Sequence, residues 1–354
     1  RLRGAPMLTM IFFLSSGLFL GWSLGANDAA NIFGTAVGTR MVRFKVAAFV
    51  ASAFVILGAV ASGRGAAETL GRLGTVNALP GAFTVALAAA LTVLWMTRLK
   101  LPVSTTQAIV GSIIGWNLFA GMETDLEPLG TIAASWVAGP ILTMLFAALF
   151  YFVFKQFLRR IHVGIILQDA YTRAALILAG AFGAYSLGAN NIANVMGVFV
   201  PVSPFPDTSF WVFSFSGAQQ LFLLGALAIA VGIFTYSHRV MQTVGGDLYK
   251  LSPISALIVV LSSATVLFLF ASEDLQMWLE ARNLPSFPLV PISSSQSVVG
   301  GVLGIGLAKG GRNINLGLLG RIAMGWVSTP VAAAVMSVLL LFIVQNLFLL
   351  QVYG

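Results

Sequence analysis

Two seven-residue stretches carry most of the polar chemistry of this 354-residue chain: Gly25-Ala26-Asn27-Asp28-Ala29-Ala30-Asn31 and Gly188-Ala189-Asn190-Asn191-Ile192-Ala193-Asn194. Each sets amide or carboxylate side chains at the same three places inside an otherwise apolar run. Burying such groups in hydrocarbon without partners is costly, and polar groups inside a membrane mark pathways and binding sites. The same expensive pattern written twice points to one site built by both halves of the chain. Asp28 is the single acidic residue expected within the bilayer, and three roles stay open for it: cation ligand, proton carrier, or structural partner of a hydroxyl or backbone N–H. With amide, hydroxyl and carbonyl oxygens around it, sodium is a suitable hard cation.

A second pair of stretches repeats in the same order. Pro102-Val103-Ser104-Thr105-Thr106-Gln107 runs into an apolar segment, and so does Pro291-Ile292-Ser293-Ser294-Ser295-Gln296. Proline suits a helix start, and serine or threonine there caps free N–H groups. A half-helix that begins within a membrane turns its positive end and hydroxyls toward whatever lies before it, which makes an anion site. Two such ends converging beside Asn27, Asn31, Asn190 and Asn194 suit a tetrahedral oxyanion, whose four oxygens need several donors. No Lys or Arg is expected at that depth, so dipoles and co-bound cations must meet the anion's charge. That favours symport over a uniporter with a fixed basic residue.

The elements that must position these groups are membrane helices. The chain is 58% hydrophobic and 8% charged, where a soluble domain carries about 25% charged residues. Apolar runs of 17 residues and more fit helices rather than barrel strands of about ten. The chain contains no cysteine, which removes disulfides and thiolate sites. The apolar stretch at 7–24 continues into the first motif without a cleavage signal and reads as a retained span. The first crossing, 6–37, is about 48 Å long as one helix, so a break near Gly25 and Asn31 is expected. Further spans are expected at 46–62, 80–96, 102–116 and 129–154, then 174–200, 210–236, 254–271, one beginning with 291–300, and 322–350. The segment between 62 and 80 reads as a mixed loop. Trp326 and Pro330 echo Trp136 and Pro140.

These repeats define an all-α polytopic membrane protein of two inverted-topology repeats, residues 1–162 and 163–354, with about five crossings each and broken helices at mid-membrane. Five is odd, so the second repeat enters the membrane upside down, the arrangement of alternating-access transporters. With both termini outside and the 40–45, 98–100, 155–173, 239–250 and 309–321 loops in the cytoplasm, fourteen of the 19 Lys and Arg lie inside, as topology requires. The net charge of +8 therefore reads as topology rather than a nucleic-acid footprint. Enzyme readings fare badly. His162 and His238 fall at cytoplasmic span ends, Asp28 has no carboxylate mate, and Lys309-Gly310-Gly311-Arg312 lacks the order of a phosphate-binding loop.

The paired motifs, GANDAAN with GANNIAN and PVSTTQ with PISSSQ, resemble those of the inorganic phosphate transporter family over nearly the whole chain. The resemblance implies a secondary phosphate transporter of a prokaryotic plasma membrane, coupled to sodium or protons and often a homodimer. Carried onto this chain, it implies phosphate ligands among Asn27, Thr105, Thr106, Asn190, Ser294 and Ser295. The implied sodium ligands are Asp28, Asn31, Ser104, Gln107, Asn191, Asn194, Ser293 and Gln296. Related members carry sulfate, and a passive anion channel is the rival class. One departure stands out: Asn191 occupies a place where the family commonly has aspartate, which bears on the number of cations.

Overall fold

The computed structural model describes residues 7–74, 76–98, 103–160, 164–210, 213–243, 251–310 and 316–354. Pro102, Lys100, His162, Lys250 and Arg312, and the expected repeat boundary at 162/163, lie outside them. The first half holds α1 (Met7–Gly38), α2 (Phe44–Ser62), α3 (Arg64–Leu73), α4 (Leu79–Arg98), α5 (Thr105–Ala120) and α6 (Leu126–Arg160). The second holds α7 (Ile165–Met196), α8 (Gly217–Thr235), α9 (Ser237–Thr243), α10 (Pro253–Leu269), α11 (Glu273–Glu280), α12 (Ser294–Ala308) and α13 (Leu316–Asn346). Among the described residues, seven helices are long and apolar enough to cross a membrane, and α10 with α11, bent by 66° at their junction, makes an eighth. The chain is a multi-pass membrane protein.

Four expectations need correction. The first motif does not break its helix: α1 is continuous over 32 residues, and α7 likewise runs through the second motif. The motif side chains find partners on other elements and on the preceding turn, so the backbone has no need to open. The discontinuities lie instead before α5 and α12, whose 16 and 15 residues reach only about 24 Å, short of a ~30 Å hydrocarbon core. The expected ten crossings are thus eight long spans and two short helices entered by non-helical segments. The run expected as a span over 210–236 starts with a β-hairpin, β1 (Thr208–Phe210) paired antiparallel with β2 (Phe213–Phe215). Helix α8 begins only at Gly217, where Ser216 and Gln219 form a capping box. Finally, the segment taken as a mixed loop contains α3, whose Ala66, Ala67, Leu70 and Leu73 are buried on one face while Arg64 and Glu68 pair on the exposed one at 2.6 Å.

The two halves exchange partners. Helix α1 packs on α8 as α7 packs on α2, and α5 packs on α13 as α12 packs on α6. Helix α4 joins α1 and α13, while α10 joins α7 and α6. The closest approaches are matched too. A Cβ on Gly111 would strike the backbone of Pro330, and one on Gly300 would strike that of Pro140. Glycine at these places lets the short helices lie directly against the long ones, as in small-residue membrane packing. Helices α4 and α7 form the interior, with 72% of an apolar 18-residue stretch of each buried, whereas α6 and α13, at 17% and 22%, form the apolar outside.

Candidate functional site

The site is built from the N-terminal ends of α5 and α12. Ser104 Oγ caps α5 by accepting from the Gln107 N–H, and Ser293 Oγ caps α12 by accepting from the Gln296 N–H, both at 3.3 Å. The two ends are clamped to each other's approach segments. Thr106 donates its hydroxyl to the carbonyl of Ile292 at 3.3 Å, and Ser295 donates to the carbonyl of Val103 at 3.2 Å. Each half thus holds the entry of the other half's short helix, and two positive helix ends are brought together. Ser293 and Ser295 hydroxyls also lie 3.1 Å apart.

The motif residues close around this crossing. Ser294 donates its hydroxyl to the Asp28 carboxylate at 2.7 Å, linking α12 to α1. Asn190 accepts from the Ile292 N–H at 2.9 Å and donates to the Ile292 carbonyl at 2.7 Å, so both ends of its amide hold one backbone unit. The Asn194 amide donates to Thr106 Oγ and to Asn191 Oδ1, each at 2.9 Å. Asn27 donates only to the carbonyl of Ser23, one turn back, at 3.0 Å. Asn27, Asn31 and Ser295 are half-buried, while Asp28, Thr105, Thr106, Asn190, Asn191, Asn194, Ser294 and both glutamines are buried.

Hydrogen bonds leave a specific remainder. Among the described residues, Gln107 Oε1, Gln296 Oε1, Asn194 Oδ1 and Asn191 Nδ2 are buried without partners. Buried polar atoms are ordinarily bonded, so these four, of thirteen such atoms among the described residues, are places open to a ligand or water. All fourteen residues singled out from the sequence belong to the two motifs and the two helix ends. Ser104 and Ser293 serve as caps, and Asn190 as a backbone clamp. Ser263 of α10, not singled out from the sequence, lines a small and mostly apolar cavity with Asn31 and Ser294. Its only signal was a hydroxyl in an apolar span, which membrane helices use widely for packing. Two clefts of about 430 and 470 Å³ lie at α3, the hairpin and α11 and contain none of the motif residues.

The model of the phosphate transporter family matches residues 24–170, 166–337 and 281–352. The chain belongs to the phosphate transporter family. Curated relatives agree in extent. A provisionally named phosphate permease of Pyrococcus abyssi is 28% identical, over 94% of this chain and 96% of its own. Another from Methanocaldococcus jannaschii is 28% identical, over 90% and 92%. A solved structure described as the sodium-dependent phosphate transporter superposes with a TM-score of 0.76 at 24% identity, over 98% of this chain and 100% of that one. Fold and family are those of membrane transporters, not of enzymes.

Proposed function

We propose that the chain is a secondary transporter that moves inorganic phosphate together with a cation by alternating access. The observation that carries this reading is the crossing of two capped helix ends, one from each half, ringed by amides and hydroxyls around the single carboxylate of Asp28. Donors from both helix ends and from Asn27, Thr105, Ser294 and Ser295 suit the oxygens of phosphate. The carboxylate with neighbouring oxygens suits sodium, the ion in the name of the superposable structure. The exchanged packing of α1 with α8 and α7 with α2 supports two repeats that split near 162, inverted in the membrane with both termini outside. A homodimer, the form common in the family, follows the same reading.

Bonds among the motif side chains close the crossing, and the cavity beside it has about 10 Å³ of room. A tetrahedral anion enters only when the elements part, which is the behaviour of a carrier rather than of an open pore. The test is uptake by the purified chain in proteoliposomes. An imposed inward sodium gradient is expected to concentrate labelled phosphate above its external level, with sulfate a weak competitor. Uptake that only equilibrates would sink the carrier reading. Concentrative uptake of sulfate in preference to phosphate would replace the substrate, and coupling to a pH gradient alone would replace sodium by protons.

A further inference from the structure

Two indole N–H groups at matching places in the duplication, those of Trp136 and Trp326, are buried without a hydrogen-bond partner among the described residues. A buried indole N–H usually finds an acceptor, as Trp22 does at Thr235 and Trp116 at the Val352 carbonyl. Trp136 lies four residues before Pro140 in α6, and Trp326 four before Pro330 in α13. A proline offers no N–H to the carbonyl one turn back, so each of these turns also leaves the tryptophan carbonyl without its ordinary helical donor.

The packing register says what each indole faces. Gly300 meets Pro140, and Gly304 meets Met144 four residues on in both helices, so α12 and α6 run side by side in step. Gly111 meets Pro330 and Gly115 meets Ala334 in the same manner, so α5 and α13 do as well. Residues four apart share a helix face. One turn back along each contact, Gln296 comes level with Trp136, and Gln107 with Trp326. Both glutamines are buried, and the Oε1 of each has no hydrogen-bond partner. An unmet donor thus stands level with an unmet acceptor at the first turn of each short helix, and the arrangement occurs twice.

We propose that Trp136 and Trp326 are positioning residues, each indole N–H holding the Oε1 of the facing glutamine through one bridging water. Buried waters typically make about three bonds, and this one has the indole as donor and the glutamine and tryptophan carbonyls as acceptors. Held so, each amide turns its NH2 group away from the outer helix and toward the crossing of the two helix ends, where an anion needs donors. The inference rests on the phosphate reading and deepens it. Gln107 and Gln296 leave the sodium set and join the phosphate donors, and the outer helices α6 and α13 set their orientation.

Nuclear magnetic resonance of the purified full chain, with nitrogen-15 in the Trp136 or the Trp326 indole, tests the pairing with both tryptophans in place. Gln296→Leu should shift the Trp136 indole signal and leave that of Trp326, and Gln107→Leu should do the converse. Calorimetric phosphate binding tests the consequence. Trp136→Phe, which keeps a ring and loses the N–H, should weaken phosphate binding about fivefold, the effect of one ordinary hydrogen bond. Added to Gln296→Leu it should cost nothing further, since the indole acts through the glutamine. Trp95→Phe, on the exposed surface, should bind as the parent does. Indole signals that ignore the facing glutamine would overturn the pairing and leave the phosphate reading standing. Losses that multiply in the double variant would overturn the positioning role. Matched indole shifts in a chain that binds no phosphate would keep the pairing and sink the phosphate reading.

Discussion

Asn27 and Asn190 are equivalent in the duplicated sequence and opposite in their bonding, so replacing each with alanine separates a ligand from a clamp. Asn190→Ala removes both bonds to Ile292. The Ile292 carbonyl keeps the Thr106 hydroxyl, but its N–H loses its side-chain acceptor in a fully buried position. One net bond of about 1 kcal/mol and an orphaned donor of about 1–3 kcal/mol add to roughly 2–4 kcal/mol of destabilisation. Asn27→Ala removes one bond to Ser23 from a half-buried residue, and alanine recovers up to about 0.7 kcal/mol of helix propensity. Its stability change is therefore close to zero.

The assay is thermal unfolding of each purified variant in detergent, paired with calorimetric phosphate binding. Asn190→Ala should lower the midpoint by about 5 °C, with a loss of phosphate affinity that follows from a loosened entry to α12. Asn27→Ala should keep the parent midpoint and lose about tenfold in phosphate affinity. An Asn190→Ala protein with the parent midpoint and no phosphate binding would show that its amide meets the anion directly, and would refute the clamp. Equal destabilisation by both changes would refute the asymmetry.

Two further outcomes follow. Gly300→Ala sets a methyl against the Pro140 backbone and forces α12 off α6, with an expected cost of about 1–3 kcal/mol; the unfolding midpoint reads it, and an unchanged midpoint would show that the helices have slack there. Asp28→Asn keeps an acceptor for Ser294 but removes the charge, so calorimetry across sodium concentrations should show the sodium enhancement of phosphate affinity fall sharply, since linkage is reciprocal; full retention of that enhancement would return Asp28 to a structural role.

The sequence makes the site legible because its residues are expensive. Asp28, Asn190, Asn194 and the hydroxyls before Gln107 and Gln296 have no business in apolar spans unless something meets them, and the structure brings them to one crossing. The continuity of α1 was not legible, because a local reading cannot supply Ser294, a partner 266 positions away, and without partners a broken helix is the cheaper guess. The hairpin at Thr208–Phe215 was hidden by its phenylalanines, which serve a strand as well as a span. Helix α3 was readable: Ala66, Ala67, Leu70 and Leu73 have helical spacing, and Arg64 with Glu68 lies at i, i+4. The place of Ser263 beside Asn31 and Ser294 was not readable, since a serine in an apolar span ordinarily signals packing.

Why one asparagine became a clamp and its twin did not can be traced to the approach segments. The second half inserts α11 and a non-helical stretch from Leu284 to Ser293 between α10 and α12. That stretch is anchored along the way, by Val290 N–H to the Phe270 carbonyl at 3.2 Å and by the Thr69 hydroxyl to the Leu289 carbonyl at 2.6 Å. Anchored upstream, it presents the N–H and C=O of Ile292 together to Asn190. The first half passes from α4 to α5 in only six residues, Leu99 to Ser104, and there Val103 offers its carbonyl to Ser295. Asn27 bonds, among the described residues, back to its own helix and is half-buried. Identical letters in the two motifs therefore carry different work, and the long, anchored approach to α12 is what lets Asn190 serve as a clamp.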